Sequence, residues 1–328
     1  MKRSIYTTHK IIIPLITDKE KLAQLLDLNS NELFGNDLNN FRYDFPLKVS
    51  RSFALRMRKK DMRDPLLLQI LPQEQEFAVS NETAEYTTNP LQETKYSPIP
   101  GLIHKYAGRV LLLVTRSCPM NCRFCFRRYI RNHVENWQAV FDYIKQDSTI
   151  TEVILSGGEP LLWMDNKLDW LLQQLFLIPN VQRIRFHTRA PITIPERISN
   201  NLLRIFAKQK GPLIFVIHCN HPQEIDKTVV RTLEKMRNNN CMLFNQSVLL
   251  KGINDNADVL MQLSEKLFAA GVVPYYLHML DKVKGSACFY VDVDTAKSLV
   301  TKMREMLPGY LVPKLVKEVS DCKSKVFI

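Results

Sequence analysis

Arg109-Val-Leu-Leu-Leu-Val-Thr115 runs directly into Arg116-Ser-Cys118-Pro-Met-Asn-Cys122-Arg-Phe-Cys125-Phe-Arg-Arg128. The first seven residues form a near-continuous apolar run of strand length, the pattern of a buried parallel strand. The following stretch sets Cys118, Cys122 and Cys125 on one loop in a C-x3-C-x2-C spacing. Three thiolates this close can each ligate one iron of a [4Fe–4S] cluster and leave the fourth iron without a protein ligand. An open iron lets a small molecule bind the cluster directly. Two plainer readings compete. Structural zinc usually takes four ligands, often as two separated cysteine pairs, whereas Cys219, Cys241, Cys288 and Cys322 are scattered singly. Unliganded cysteines acting as small apolar side chains would hardly fall three times within eight residues among Arg, Asn and Pro.

The strand pattern recurs at 152–156, 183–188, 213–219, 242–249 and 273–280. Between these runs lie helical spacings at 137–144, 168–176, 195–207, 225–236, 259–269 and 295–306, with start signals such as Pro195 and Asp294. Six β-α units in succession predict an α/β fold, a partial (β/α)6 TIM-like barrel. Reacting groups in such barrels stand at the carboxyl ends of the strands. The polar motifs follow that rule. The cysteine loop succeeds the first strand, Gly157-Gly158-Glu159-Pro160 the second, and His187-Thr188-Arg189 ends the third. His218-Cys219-Asn220-His221 ends the fourth, Asn245-Gln246-Ser247 lies in the fifth, and Asp281 closes the sixth. Residues 101–328 are thus expected to form the barrel with a C-terminal segment. Residues 1–100 are read as a mainly helical region that wraps or lids it, with a Pro/Thr/Ser-rich extended passage at 81–100.

Composition bounds the function. The 328 residues are 45% hydrophobic and 24% charged, as in a soluble globular protein. No apolar stretch approaches the ~20 residues that span a bilayer, and the run at 10–16 is broken by Pro14 and lacks a small-residue cleavage site. Seven cysteines, an odd number with three clustered, do not make a secreted disulfide framework, so a reducing cytoplasm is expected. The net charge of +12 would suit a polyanion such as RNA, with basic clusters at 51–63 and 123–131. No interleaved aromatics accompany the first cluster, and an anionic small-molecule cofactor accounts for the charge equally well.

With Phe124 before the last cysteine and the Gly157-Gly158-Glu159 turn about thirty residues on, the chain resembles the radical S-adenosylmethionine (SAM) superfamily. Further motifs narrow the likeness: His104-Lys-Tyr-Ala-Gly-Arg-Val110, Cys125-Phe-Arg-Arg-Tyr129, Arg189-Ala-Pro-Ile192 with Pro195-Glu-Arg-Ile198, Asn245-Gln-Ser-Val-Leu-Leu250, and Pro274-Tyr-Tyr276 with Asp281. From about Asp64 to Lys325 the chain resembles the lysine 2,3-aminomutase family. The resemblance implies an isomerase that exchanges an amino group and a hydrogen between adjacent carbons, L-lysine going to β-lysine. It implies three cofactors: a [4Fe–4S] cluster, SAM and pyridoxal 5′-phosphate (PLP). Cys118, Cys122 and Cys125 would hold the cluster. Gly157, Gly158 and Glu159 would meet the SAM amino group, and Thr188 and Arg189 its carboxylate.

Lys325 would hold PLP covalently, with Lys323 as the substitute, and Arg109, Tyr106, Lys105 and Gln246 would surround that cofactor. Arg127 would clamp the substrate carboxylate and Asp281 its ε-ammonium. The family's Thr-Pro after the PLP lysine is absent here, where the sequence reads Ser324-Lys325-Val-Phe-Ile328. The length and the lack of a cysteine-bearing extension resemble the branch that makes (R)-β-lysine for elongation factor P. An electron donor such as flavodoxin or ferredoxin is implied, and self-association is compatible with the sequence. The alternatives are another radical SAM enzyme modifying RNA or protein, and a glutamate or arginine 2,3-aminomutase.

Overall fold

The structure is a computed structural model that describes residues 13–30, 33, 45–77 and 83–328. The apolar run at 10–16 and the passage at 81–100 therefore begin outside the described residues. Eleven strands are present among the described residues: β1 Leu15–Ile16, β2 Val49–Ser50, β3 Leu102–Tyr106, β4 Arg109–Thr115, β5 Glu152–Gly157, β6 Arg183–Thr188, β7 Leu213–His218, β8 Cys241–Val248, β9 Val273–His278, β10 Lys314–Lys317 and β11 Val326–Phe327. Strands β3 to β11 form one sheet in sequence order. Pairing is parallel from β4 through β10, and β3 and β11 close the edges antiparallel.

The helices that cross over between successive parallel strands are α2 Trp137–Gln146, α3 Asp165–Phe176, α4 Asn200–Ala207, α5 Lys227–Arg237, α6 Ala257–Ala269 and α7 Val293–Met306, with α1 Lys19–Leu26 before them. The six expected β-α units are all present, and β10 adds a seventh parallel strand. Its sequence, Lys-Leu-Val-Lys, buries only Leu315 and Val316, too short a run to announce itself. Two helix starts differ from expectation. Ser199 caps α4 through the Leu202 amide, and Pro195–Arg197 is a separate 3-10 turn. Asp292, not Asp294, caps α7 by accepting from the Thr295 amide.

Burial on both faces explains the strand composition. The interior is built on pairs such as Phe186 and Phe215, register partners on β6 and β7 that stack at 4.8 Å, with Phe206 of α4 at 5.0 Å from Phe215. The N-terminal region carries α1, single helical turns at Arg51–Ala54 and Pro65–Leu68, and the β1–β2 ribbon. Its Leu22, Phe53, Leu66 and Ile70 are fully buried in the same core as the barrel strands. Among the described residues no helix is long and apolar enough to cross a membrane.

The cysteine loop is pinned from two sides. From the barrel, the Gly158 amide donates to the Thr115 carbonyl at 2.6 Å and the Glu159 amide to the Ser117 carbonyl at 2.8 Å. From the N-terminal region, Lys48 and Gln69 carbonyls accept the Asn121 and Arg123 amides, each at 2.9 Å. The Arg123 guanidinium, between two cysteines of the triplet, makes a bidentate pair with Glu76 at 2.7 and 2.6 Å. Both side chains are essentially inaccessible to water.

The glycine turn is required by this packing. A Cβ on Gly158 would stand 2.3 Å from the Ser117 carbonyl oxygen, and Gly157 has φ +112 with the Thr115 oxygen 2.6 Å from its would-be Cβ. Gly158→Ala should therefore lose about 1–3 kcal/mol in chemical denaturation, because backbone, not a flexible side chain, must yield. Gly309→Ala, with nothing within 4 Å, should stay within about 0.5 kcal/mol of the parent. Equal stabilities for the two variants would show that the turn does not press on the loop.

Candidate functional site

The carboxyl ends of the strands open into a cavity of about 750 Å³. Every site residue singled out from the sequence lines it: the three cysteines, Gly157 to Glu159, Thr188, Arg189, the Lys105, Tyr106 and Arg109 group, Arg127, Gln246, Asp281 and Lys325. The substitute Lys323 is exposed and is not part of the lining. The barrel rule brings the cysteines, Gly157 to Glu159, Thr188, Arg189, Arg127 and Asp281 together on the rim after the strands. Arg109, by contrast, starts β4 beside Lys105 and Tyr106 at the end of antiparallel β3, Gln246 lies within β8 and Lys325 precedes β11.

At the cysteine end, burial pushes the Cys118 thiol well above its usual value, with Cys122 and Glu159 adding to it. Burial and Cys122 push Cys125 up to about 11. Thiols at Cys118 and Cys125 that resist ionisation suit a cationic iron cluster that supplies the missing charge. The donor set, three sulfurs on one loop at the cavity wall, fits a cluster with an open iron.

Beside it, the Glu159 carboxylate accepts from Thr188 Oγ1 at 2.6 Å, the Arg189 amide at 2.8 Å and the Leu161 amide at 3.1 Å. Burial raises its pKa in spite of those hydrogen bonds. Glu159 and Thr188 thus tie the end of β5 to the end of β6. The amides of Gly158 and Glu159 are spent on the cysteine loop, which leaves the turn's carbonyls as the groups able to accept from an amino group such as that of SAM. Arg189 was expected to offer its fork to a carboxylate. Its terminal nitrogens instead reach Cys122 Sγ at 2.9 Å, Gln69 Oε1 at 2.6 Å and Glu224 Oε2 at 2.9 Å.

Arg127 reaches the same cavity, with Nη2 2.6 Å from Glu93 Oε1 and Nη1 2.9 Å from Ser156 Oγ. Asp281 has its carboxyl pushed up to about 7 by burial and by Glu318 and Glu93, against the pull of Lys325 and Arg127. At the far end Glu318 collects three donors: Lys325 Nζ at 2.5 Å, Lys105 Nζ at 2.8 Å and the Tyr106 hydroxyl. Burial alone would raise its pKa, but Lys325 and these hydrogen bonds hold it down to about 2. The Arg109 guanidinium lies 4.7 Å over the Tyr106 ring. His278 is pushed down to about 3 by burial and Lys325, and its Nε2 is buried without a partner among the described residues.

A lysine amine, two further cations, tyrosine rings and an orphaned imidazole nitrogen on one wall fit PLP, with its aldehyde, phosphate and pyridine ring. The sequence reading missed Glu93, Glu224 and Glu318. No motif marks them, and only their cationic partners were visible.

Residues 112–263 match the model of the Radical SAM superfamily. The L-lysine 2,3-aminomutase of Escherichia coli (strain K12) is 43% identical over 318 residues, covering 95% of this chain and 91% of that protein. That of Buchnera aphidicola subsp. Baizongia pistaciae is 43% identical, covering 95% and 92%. The Haemophilus influenzae enzyme of the same name is 40% identical over 315 residues, covering 94% and 92%.

Asp281 generates a pH prediction. Its carboxyl rises from 3.8 to about 7 on folding, so between those values the native state holds a proton that the unfolded chain has lost. Stability from this group is therefore lost as pH rises through that window. Asp281→Asn removes the loss. Relative to the parent, the variant should gain stability steadily from about pH 4 to about pH 7, read as the difference in urea midpoints. A difference that is flat with pH would refute the assignment.

Proposed function

Since the chain belongs to the lysine 2,3-aminomutase family of radical SAM enzymes, we propose that this isomerase converts L-lysine to β-lysine, in the (R) form, for modification of elongation factor P. The observation that carries the substrate reading is the meeting, in one cavity with the three cysteines and Lys325, of a cation and a carboxylate: Arg127 and Asp281. An α-amino acid with a cationic side chain satisfies both. An ammonium beside Asp281 stabilises its ionised form, whereas a glutamate side chain would be repelled.

When bound, the cluster with SAM supplies a radical able to abstract hydrogen, and PLP supplies a conjugated ring that spreads the unpaired electron while the amino group moves. The protein's own contributions are positional. Cys118, Cys122 and Cys125 hold the cluster, and the Gly157–Gly158–Glu159 turn with Thr188 lines the SAM wall beside it. Lys325 anchors PLP once it parts from Glu318, with Arg109, Lys105, Tyr106 and Gln246 around the phosphate and ring. Arg127 binds the substrate carboxylate, which it must share with Glu93, and Asp281 binds the distal ammonium. Residues 1–100 act as the lid, supplying Glu93 and Gln69, and residues 101–328 carry the cofactors. A low-potential electron donor such as flavodoxin or ferredoxin completes the system, in the cytoplasm.

The test is direct. Protein reconstituted anaerobically with iron, sulfide, PLP and SAM, and reduced with dithionite, should turn L-lysine into (R)-β-lysine on chiral chromatography. Lys325→Ala should abolish both turnover and the PLP absorbance band. Asp281→Asn should raise KM for lysine by roughly 10- to 100-fold. Unchanged lysine together with turnover of glutamate, arginine or an RNA would sink the substrate reading.

A further inference from the structure

Arg189 does more than line the SAM wall. Only 7% exposed, it is anchored by Glu224, itself 0% exposed. Glu224 is in turn fixed by Gln69 Nε2 at 3.0 Å and by the amides of Asn220 and His221 at 3.0 and 3.1 Å. Gln69 Oε1 also accepts from Arg189 Nη2 at 2.6 Å and from Asn220 Nδ2 at 3.1 Å. Three parts of the chain, the end of β6, the segment after β7 and the N-terminal region, thus aim one guanidinium nitrogen at Cys122 Sγ, 2.9 Å away. Phe53 and Phe124 lie beneath the guanidinium carbon at 5.4 and 5.9 Å, walling the group off from water.

We propose that Arg189 and Glu224 form a buried, opposed-charge pair that sets the reduction potential of the cluster held by Cys118, Cys122 and Cys125. The inference rests on the cluster assignment made above. Reduction adds one electron, taken from an external low-potential one-electron donor, and neither makes nor breaks a bond. The reduced cluster carries one more negative charge. A cation donating a hydrogen bond to a ligand sulfur stabilises that state and raises the potential. Glu224 acts in the opposite sense by charge, while it holds the guanidinium in place. In a poorly screened interior both effects survive. Arg189 is therefore a tuning residue, and its fork is not available to clamp a carboxylate.

The two charges predict shifts of opposite sign, which a merely structural role would not produce. Protein loaded with the cluster alone, without SAM or PLP, is titrated anaerobically against viologen mediators and followed by the electron paramagnetic resonance signal of the reduced cluster. Arg189→Gln should lower the midpoint and Glu224→Gln should raise it. Each shift should be about tenfold in the reduction equilibrium, or ~59 mV for one electron. Shifts in the same direction, or none, overturn the proposal. If Arg189→Gln does not retain iron and sulfide, Glu224→Gln and Arg189→Lys carry the test. A raised midpoint in the former and a lowered one in the latter support the proposal, and parental midpoints overturn it. Arg189→Gln that keeps the parental midpoint but loses SAM in equilibrium dialysis would return Arg189 to the role of carboxylate clamp. A parent protein that takes up iron without labile sulfide would instead overturn the cluster assignment itself.

Discussion

The structure depends on burying an irregular loop. A cysteine-bearing segment that forms a cavity wall cannot satisfy its own backbone, and buried amides and carbonyls left without partners each cost free energy. Here the partners come from opposite directions. The amides after Gly157 meet the carbonyls of Thr115 and Ser117, and carbonyls of the N-terminal region meet the amides of Asn121 and Arg123. The glycine turn is thus read first as a packing element. Its absence of side chains lets β5 approach the loop closely enough for those bonds to form, and the shape of the cavity wall there follows.

The same low-polarity setting explains the charges. Cations at Arg127, Arg189, Lys105 and Lys325 face the cavity, and each already has an acid partner in Glu93, Glu224 or Glu318. An unpaired buried charge is costly, and a pair is tolerated when its remaining hydrogen bonds are filled. Ligand anions that approach these four groups therefore meet cations that are pre-positioned but already neutralised. At those four positions affinity must come from exchange of partners, not from capture by bare charge. Asp281 is the counter-example. Its raised pKa marks a carboxylate that the protein itself has not fully compensated.

Much of this was legible from the chain because barrels encode themselves locally. Apolar runs of strand length, each followed by a polar motif, give both the strand order and the rim on which the motifs meet. The strand bounds moved by two residues or fewer at each end, and the helix starts moved where a better cap was near, as with Asp292 over Asp294. What escaped was non-local. Strands β3 and β11 at the edges and the four-residue β10 beside β11 are short elements recognisable only by their neighbours. Glu93, Glu224 and Glu318 are single acids whose meaning lies in partners as far as 213 residues away. Periodicity carries no information about such pairs.

The placement of those acids also bears on how the chain divides. Arg123 and Arg128 both pair with Glu76, Arg127 pairs with Glu93, and Gln69 joins Arg189 to Glu224. All these arginines belong to the barrel, while Glu76, Glu93 and Gln69 come from the first hundred residues. Taking away that region would strip three arginines of their acid partners and open the shared apolar core around Phe53 and Leu66. A buried charge that loses its partner costs about 3–5 kcal/mol, and two such losses are comparable to the whole net stability of an ordinary domain. The boundary near residue 100 is therefore one of topology and not of energetics. The N-terminal region and the barrel fold as one unit because the cysteine loop needs both.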